Sequence, residues 1–181
     1  MSSTTVSEFI IIIAVLLIGL VAFTFTQALV VPQYAFNSAL QLAKSLASTI
    51  YIDLSPPESS SNGYVFLSYI YSPSYSGNFS VIVFTVPVSE LPSVSGLTPT
   101  QLSQYSITLP NDNGKPAKLV TLPAVYDLNG RQLTGSIQAY SIPSNTTFQI
   151  TINVQQNYAV VLWVIYNSGG YYFRIGYTYE G

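Results

Sequence analysis

The chain has 181 residues, of which only 7% are charged; its formal net charge is −2, and it contains neither Cys nor His. Typical soluble proteins carry about 25% charged residues, and the small net charge argues against a nucleic acid as a partner. Without Cys or His, disulfides, thiolate chemistry, the usual zinc sites and histidine acid–base catalysis are excluded.

The first predicted element is an apolar helix. Phe9–Val31 reads FIIIIAVLLIGLVAFTFTQALVV and contains no charged residue, while Glu8 directly precedes it. From Phe9 to Val30, at about 1.5 Å per residue, the helix runs roughly 33 Å, which matches a bilayer core of about 30 Å. A helix that is hydrophobic all round is buried in lipid or in the core of a larger assembly.

Glu8 has two interpretations. As a carboxylate near the helix N-terminus at the lipid–water boundary, it suits the helix dipole. Alternatively it pairs with a cation, such as the free amine of a neighbouring subunit.

Pro32 is expected to kink or end the helix, because proline lacks an N–H and its ring clashes with the preceding turn. Helical periodicity nevertheless continues from about Gln33 to about Thr49. The apolar residues of this second segment form one stripe: Phe36, Ala39, Leu40, Ala43, Leu46, Ala47 and Ile50. This stripe needs a partner, and identical neighbouring subunits would supply one.

The segment Ser55–Gly63 contains two prolines, a serine run and Asn-Gly, so it is predicted to be an irregular boundary. Beyond it the pattern changes to period two and to β-forming residues. The predicted strands are Tyr64–Tyr71, Phe79–Val86, Tyr105–Leu109, Lys118–Leu122, Ala124–Leu128, Arg131–Tyr140, Thr147–Val154, Tyr158–Tyr166 and Tyr171–Tyr179.

Connections between these strands are mostly short, as antiparallel pairing permits. Asn129-Gly130 indicates a type I′ hairpin. Ser89–Gln104 is predicted to be a longer loop or one helical turn with Thr98 as its N-cap. The predicted fold is α+β: a long hydrophobic helix over residues 1–54, a linker over 55–63, and an antiparallel, immunoglobulin-like β-sandwich head over 64–181.

No motif for catalysis is present. The carboxylates have no neighbour at a catalytic spacing, and there is no phosphate-binding glycine loop, metal cluster or nucleophile elbow. The chain is therefore predicted not to be an enzyme, with no catalytic, cofactor-binding or metal-binding residues and no cofactor.

Two N-glycosylation sequons occur, Asn78-Phe79-Ser80 and Asn145-Thr146-Thr147, both at predicted strand edges. Aromatic residues are concentrated in the last two strands. Such tyrosines usually stabilise a sheet face, but Tyr172 and Tyr177 are also candidates for a surface that binds sugars.

The order of elements and the start Val6-Ser7-Glu8-Phe9-Ile10-Ile11 resemble archaeal type IV pilins. In that family a long apolar helix forms the packed core of a filament and a β-sandwich head faces the medium. The resemblance implies a membrane-anchored precursor that assembles into an extracellular homopolymer for adhesion or aggregation, contacting host surfaces or glycans. The implied filament-core residues are Glu8, Phe9, Ile12, Leu16, Leu20, Phe36, Leu40, Ala43, Ala47 and Ile50.

Two other classes of protein stay open. The precursors of type IV pilins carry a basic leader before the cleavage point, whereas Met1–Val6 contains no Lys or Arg. Accessory subunits of the archaeal flagellum-like motor, which combine an uncleaved anchor with a small β-sandwich, are also similar to this chain. A membrane-tethered module that binds sugars through its tyrosines is the third interpretation.

Overall fold

The computed structural model describes residues 2–61, 63–99 and 105–181. The chain divides into two compact units, Met1–Ser38 and Ala39–Gly181. The second unit thus begins within the predicted N-terminal helix region, and it includes the segment that was predicted to be a linker.

Helical structure occupies the N-terminal part of the chain: α1 over Ser2–Phe25, a π-helical turn over Thr26–Val30, and α2 over Val31–Ala47. Of the two outcomes expected at Pro32, a kink or an end, the helix does not end there, and the second helical segment continues to Ala47. The Val31 N–H bonds to the carbonyl of Thr26, five residues back, instead of four. This π-helical turn changes the hydrogen-bond register just before a residue that has no N–H to donate.

In the second unit, the end of α2 packs as a helix with one apolar face. Four of its apolar side chains are each at most 8% exposed, and they follow one another at spacings of one, three and three residues: Ala39, Leu40, Ala43 and Leu46. These side chains lie on one side of a 3.6-residue helix. The helix end is therefore part of the core of the β-rich unit.

Thirteen short strands follow in the described residues. They are β1 Tyr51–Leu54, β2 Glu58–Ser60, β3 Gly63–Tyr71, β4 Asn78–Pro87, β5 Tyr105–Leu109, β6 Lys115–Pro116, β7 Lys118–Leu122, β8 Val125–Tyr126, β9 Gln132–Thr134, β10 Ile137–Pro143, β11 Thr146–Ile152, β12 Tyr158–Ser168 and β13 Tyr171–Glu180. A 3₁₀ segment covers Val88–Gly96. This segment lies within the predicted Ser89–Gln104 region and before Thr98. The turn predicted after Thr98 falls mostly on residues 100–104, which lie outside the described residues.

The first sheet has the strand order β1-β3-β11-β5-β6, with β2 also paired to β3. Buried and more exposed side chains alternate along its strands, as expected for a sheet with one buried face. In β3, for example, Phe66, Ser68 and Ile70 are buried while Leu67 and Tyr71 between and beyond them are exposed.

The second sheet has the order β7-β10-β4-β12-β13-β8-β9. Its central strands β4 and β12 are buried on both faces, which explains their almost continuous apolar sequences. One face encloses a core that contains Trp163 and Phe84 in an edge-to-face pair, together with residues from β7, β8 and β10. The sheet therefore curves around its own core.

Pairing is antiparallel except between β8 and β13, which are parallel where Tyr126 faces Phe173. The parallel pair departs from the expected all-antiparallel head. The fold class is α+β: an N-terminal helix followed by a mixed, β-sheet-rich domain.

Candidate functional site

Helix α1 exposes apolar side chains on every side. The predicted filament-core residues Phe9, Ile12, Leu16 and Leu20 are 57–67% exposed. The other sides are equally open, since Ile10, Ile11 and Ile18 are 60–69% exposed. The helical stretch Thr4–Ala47 is long enough and apolar enough to cross a membrane. This exposed apolar surface makes α1 a candidate contact surface.

Glu8 is an exposed residue inside α1. Because the helix begins at Ser2, Glu8 lies in the second turn, beyond the first turn in which the helix dipole acts most strongly. The first Lys or Arg in the sequence is Lys44. Residues 2–43 therefore contain no Lys or Arg, and a cation that pairs with Glu8 has to come from outside them.

Part of the second apolar stripe is covered within the chain itself. Leu40 is 8% exposed and Ala43 is fully buried within the second unit. The prediction that both contact other subunits is corrected: the chain's own β-rich unit covers them. Phe36, Ala47 and Ile50 are half-buried.

The two sequons meet at one end of the head, although 67 positions separate them. Asn78 pairs with Pro143 across β4 and β10, two residues before Asn145. Asn145 has a positive φ of 59°, and its side-chain Oδ1 accepts a hydrogen bond of 2.9 Å from the backbone N–H of Ser72. That bond leaves Nδ2, the atom that carries an N-linked glycan, on an exposed residue. Glycan attachment stays a prediction at both sites.

The two tyrosines predicted to bind sugars have different surroundings. Tyr172 packs against the core of the second sheet. Tyr177 is 38% exposed, and its ring centroid lies 5.2 Å from the guanidinium carbon of Arg174. Of the pair, Tyr177 is the one that is available at the surface.

Sequence reasoning missed a second tyrosine group, on the outer face of the first sheet. Tyr69 and Tyr71 stack with their ring centroids 6.4 Å apart and their planes at 19°. Tyr51, 58% exposed, lies directly opposite Tyr71 in the register. The period-two pattern of β3 places Tyr69 and Tyr71 on one face, but β1, which carries Tyr51, was not predicted.

No family model matches this sequence, and no curated protein matches it significantly. Among solved structures, the chain is similar to the solution NMR structure of a conjugate transposon protein from Bacteroides vulgatus. The match has 8% sequence identity, covers 70% of this chain and 84% of that chain, and has a TM-score of 0.29. A likeness of this size carries no argument about the fold or function of this chain.

Proposed function

We propose that this chain is a structural subunit of an extracellular filament of the archaeal type IV pilin class. In the membrane α1 serves as the anchor, and in the filament α1 helices from many copies pack together while the β-rich heads face the medium. An immunoglobulin-like sandwich is part of the same proposal for the head. The clean alternation of β3 and the two buried faces of β4 and β12 support it.

One observation carries the proposal: α1 is apolar and exposed on all sides. A helix of this kind is unfavourable in water and needs lipid or other helices around it. A ring of identical helices covers every side, and a heterologous contact that does not close generates a filament.

Glu8 adds support. Within a bundle of apolar helices a carboxylate is costly unless a cation pairs with it. Residues 2–43 contain no Lys or Arg, so a neighbouring subunit is the natural source of that cation. Pairing of this kind would also set the axial register between copies.

A second candidate is a static, membrane-anchored accessory subunit of the flagellum-like motor. The burial of Leu40 and Ala43 inside the second unit favours it. The second apolar stripe then has part of its partner within the chain, and a single anchor in lipid satisfies the rest.

The test is a Glu8→Gln variant produced in cells that assemble the native protein and examined by electron microscopy. Removing one partner of a buried ion pair costs about 3–5 kcal/mol, so we expect filaments to be lost while the protein stays in the membrane. Glu58→Gln is the matched control, because Glu58 is an exposed carboxylate on β2. Its filaments should be normal.

Two results would count against different parts of the proposal. Normal filaments from the Glu8→Gln variant would contradict the intersubunit ion pair, although not the filament itself. If the native protein itself gave only isolated membrane-bound subunits, the accessory-subunit candidate would replace the filament.

A further inference from the structure

The chain contains only two arginines, Arg131 and Arg174, and both line one cavity of about 350 Å³ in the β-rich unit. The Asp127–Arg131 loop between β8 and β9 forms one side. Strand β13 contributes Arg174 and Tyr177, and the end of the 3₁₀ segment contributes Ser95 and Gly96. Three separate segments thus bring the arginines together.

Arg174 is held firmly but is not fully hydrogen-bonded. Its guanidinium carbon lies 4.8 Å from the ring centroid of Trp163 and 5.2 Å from that of Tyr177. Its Nη2 donates a 2.8 Å hydrogen bond to the carbonyl of Ser95. Its Nη1 is buried and has no acceptor within the described part of the chain. A buried donor without an acceptor is unfavourable, and more so when it is charged.

Asp127 does not neutralise this cation directly. Its Oδ1 accepts hydrogen bonds from the backbone N–H groups of Asn129 and Arg131, at 2.9 and 2.8 Å. Its Oδ2 lies 3.4 Å from Nε of Arg131. The carboxylate therefore shapes the loop and positions Arg131. Burial lowers the pKa of Arg174, but an arginine side chain stays protonated in proteins.

The charges around the cavity favour a ligand with one negative charge. Two arginines and one carboxylate line it, which leaves a local charge of +1 in a chain whose net charge is −2. A planar oxyanion suits the guanidinium fork. The volume is near the lower end of the roughly 300–1,000 Å³ typical of small-molecule sites, so a single ring fits better than an oligosaccharide.

The remaining lining groups suit a sugar ring. The partly exposed ring of Tyr177 offers an apolar face, and the exposed Asn129 offers an amide that both donates and accepts. We infer that this cavity binds an acidic monosaccharide of the uronic acid class, with its carboxylate on the exposed guanidinium of Arg131 and beside the side chain of Arg174. This inference goes beyond the filament and does not depend on polymerisation.

The full chain in detergent micelles contains its own reporter. Trp163 is the only tryptophan, is buried, and lies against the Arg174 guanidinium. We expect sodium glucuronate to change its fluorescence in a saturable way, and glucose at the same concentrations to leave it unchanged. Sodium sulfate at matched ionic strength should bind at least tenfold more weakly. No saturable change with glucuronate, an equal response to glucose, or equal affinity for sulfate would each overturn the inference.

Variants test the two arginines. Arg131→Gln should weaken glucuronate binding by about tenfold or more, since a hydrogen bond to a charged group contributes about 1.5–3 kcal/mol. Lys118→Gln is the matched control, because Lys118 is an exposed cation on β7 outside the cavity. Equal weakening by both variants would mean that only net charge matters, and would contradict the site.

Arg174→Lys keeps the positive charge but removes the guanidinium fork. We expect this variant to bind glucuronate at least tenfold more weakly. A thermal unfolding midpoint close to that of the native chain would show that its head is still folded. Full affinity in a folded Arg174→Lys variant would overturn the role assigned to the Arg174 guanidinium.

Discussion

At the scale of single residues, Tyr105 gives a clear dependence on pH. Burial, with a smaller contribution from Tyr140, raises the pKa of Tyr105 to about 12 from an ordinary value of 10.0. A raised pKa means that the folded state holds the proton more tightly. The contribution of Tyr105 to the free energy of unfolding is therefore fully present below about pH 10, and it is lost as the pH rises towards 12. Over two pH units it amounts to at most about 2.7 kcal/mol.

We therefore expect Tyr105→Phe to lose less stability than the native chain between pH 10 and 12. The measurement is the free energy of unfolding, followed by Trp163 fluorescence at several pH values. Tyr51→Phe is the control, since its ring is 58% exposed, and it should follow the native profile. Parallel alkaline profiles for the native chain and Tyr105→Phe would rule out Tyr105 as a contributor.

The cavity residues show the limit of sequence reasoning at this scale. Arg131 and Arg174 are 43 positions apart, and no local spacing connects them. They meet because β8 pairs with β13, an interaction that rests on a single facing pair of residues. The sequence indicated Tyr177 through its aromatic neighbours. Local sequence does not distinguish Asp127 from an ordinary turn residue, because its two backbone acceptor contacts depend on the conformation of that turn.

At the scale of elements, the end of α2 from Ala39 onward is part of the β-rich unit. Leu40→Ala should destabilise the β-rich unit by about 2–4 kcal/mol, because it removes buried methyl groups and leaves a cavity. Leu42→Ala is the matched control: it makes the same change two residues away on a side chain that is 56% exposed. Its unfolding free energy should change by less than about 0.5 kcal/mol. Similar effects of both substitutions, measured by chemical unfolding of the full chain, would contradict this packing.

The turns show why element prediction succeeded only in part. Asn129-Gly130 does lie in the loop of a hairpin, between β8 and β9. A type I′ turn requires a positive φ at both central residues. Here only Gly130 has one, with φ of 82°. The Asp127 side chain holds a wider loop instead. By contrast, two consecutive residues have a positive φ in the turn between β12 and β13: Gly169 at 60° and Gly170 at 86°. The predicted type I′ turn at Asn129-Gly130 is therefore wrong.

The strands that sequence reasoning missed are short and depend on partners. β1, β2 and β6 contain four, three and two residues. Each pairs with a longer strand that was predicted, β3 or β5. Segments this short have too little period-two pattern to be recognised, and long-range pairing rather than local propensity determines them.

At the scale of the whole molecule, the chain has few charged residues, 7% of its sequence. The described residues contain two ion pairs, Lys115–Asp112 and Arg131–Asp127. The first joins side chains that are 65% and 56% exposed, so it contributes little to stability. Packing and β-sheet hydrogen bonds therefore hold the head together.

A fold built this way should tolerate acid. Acid unfolding acts through carboxylates and histidines whose protonation differs between the folded and unfolded states, and this chain has seven carboxylates and no His. We expect the unfolding free energy of the full chain in detergent, measured with urea and Trp163 fluorescence, to fall by less than about 2 kcal/mol between pH 7 and pH 3. That limit equals roughly one and a half pKa units summed over all groups. A fall of more than about 4 kcal/mol would require strong ionic interactions and would show that charge, rather than packing, governs the stability of the head.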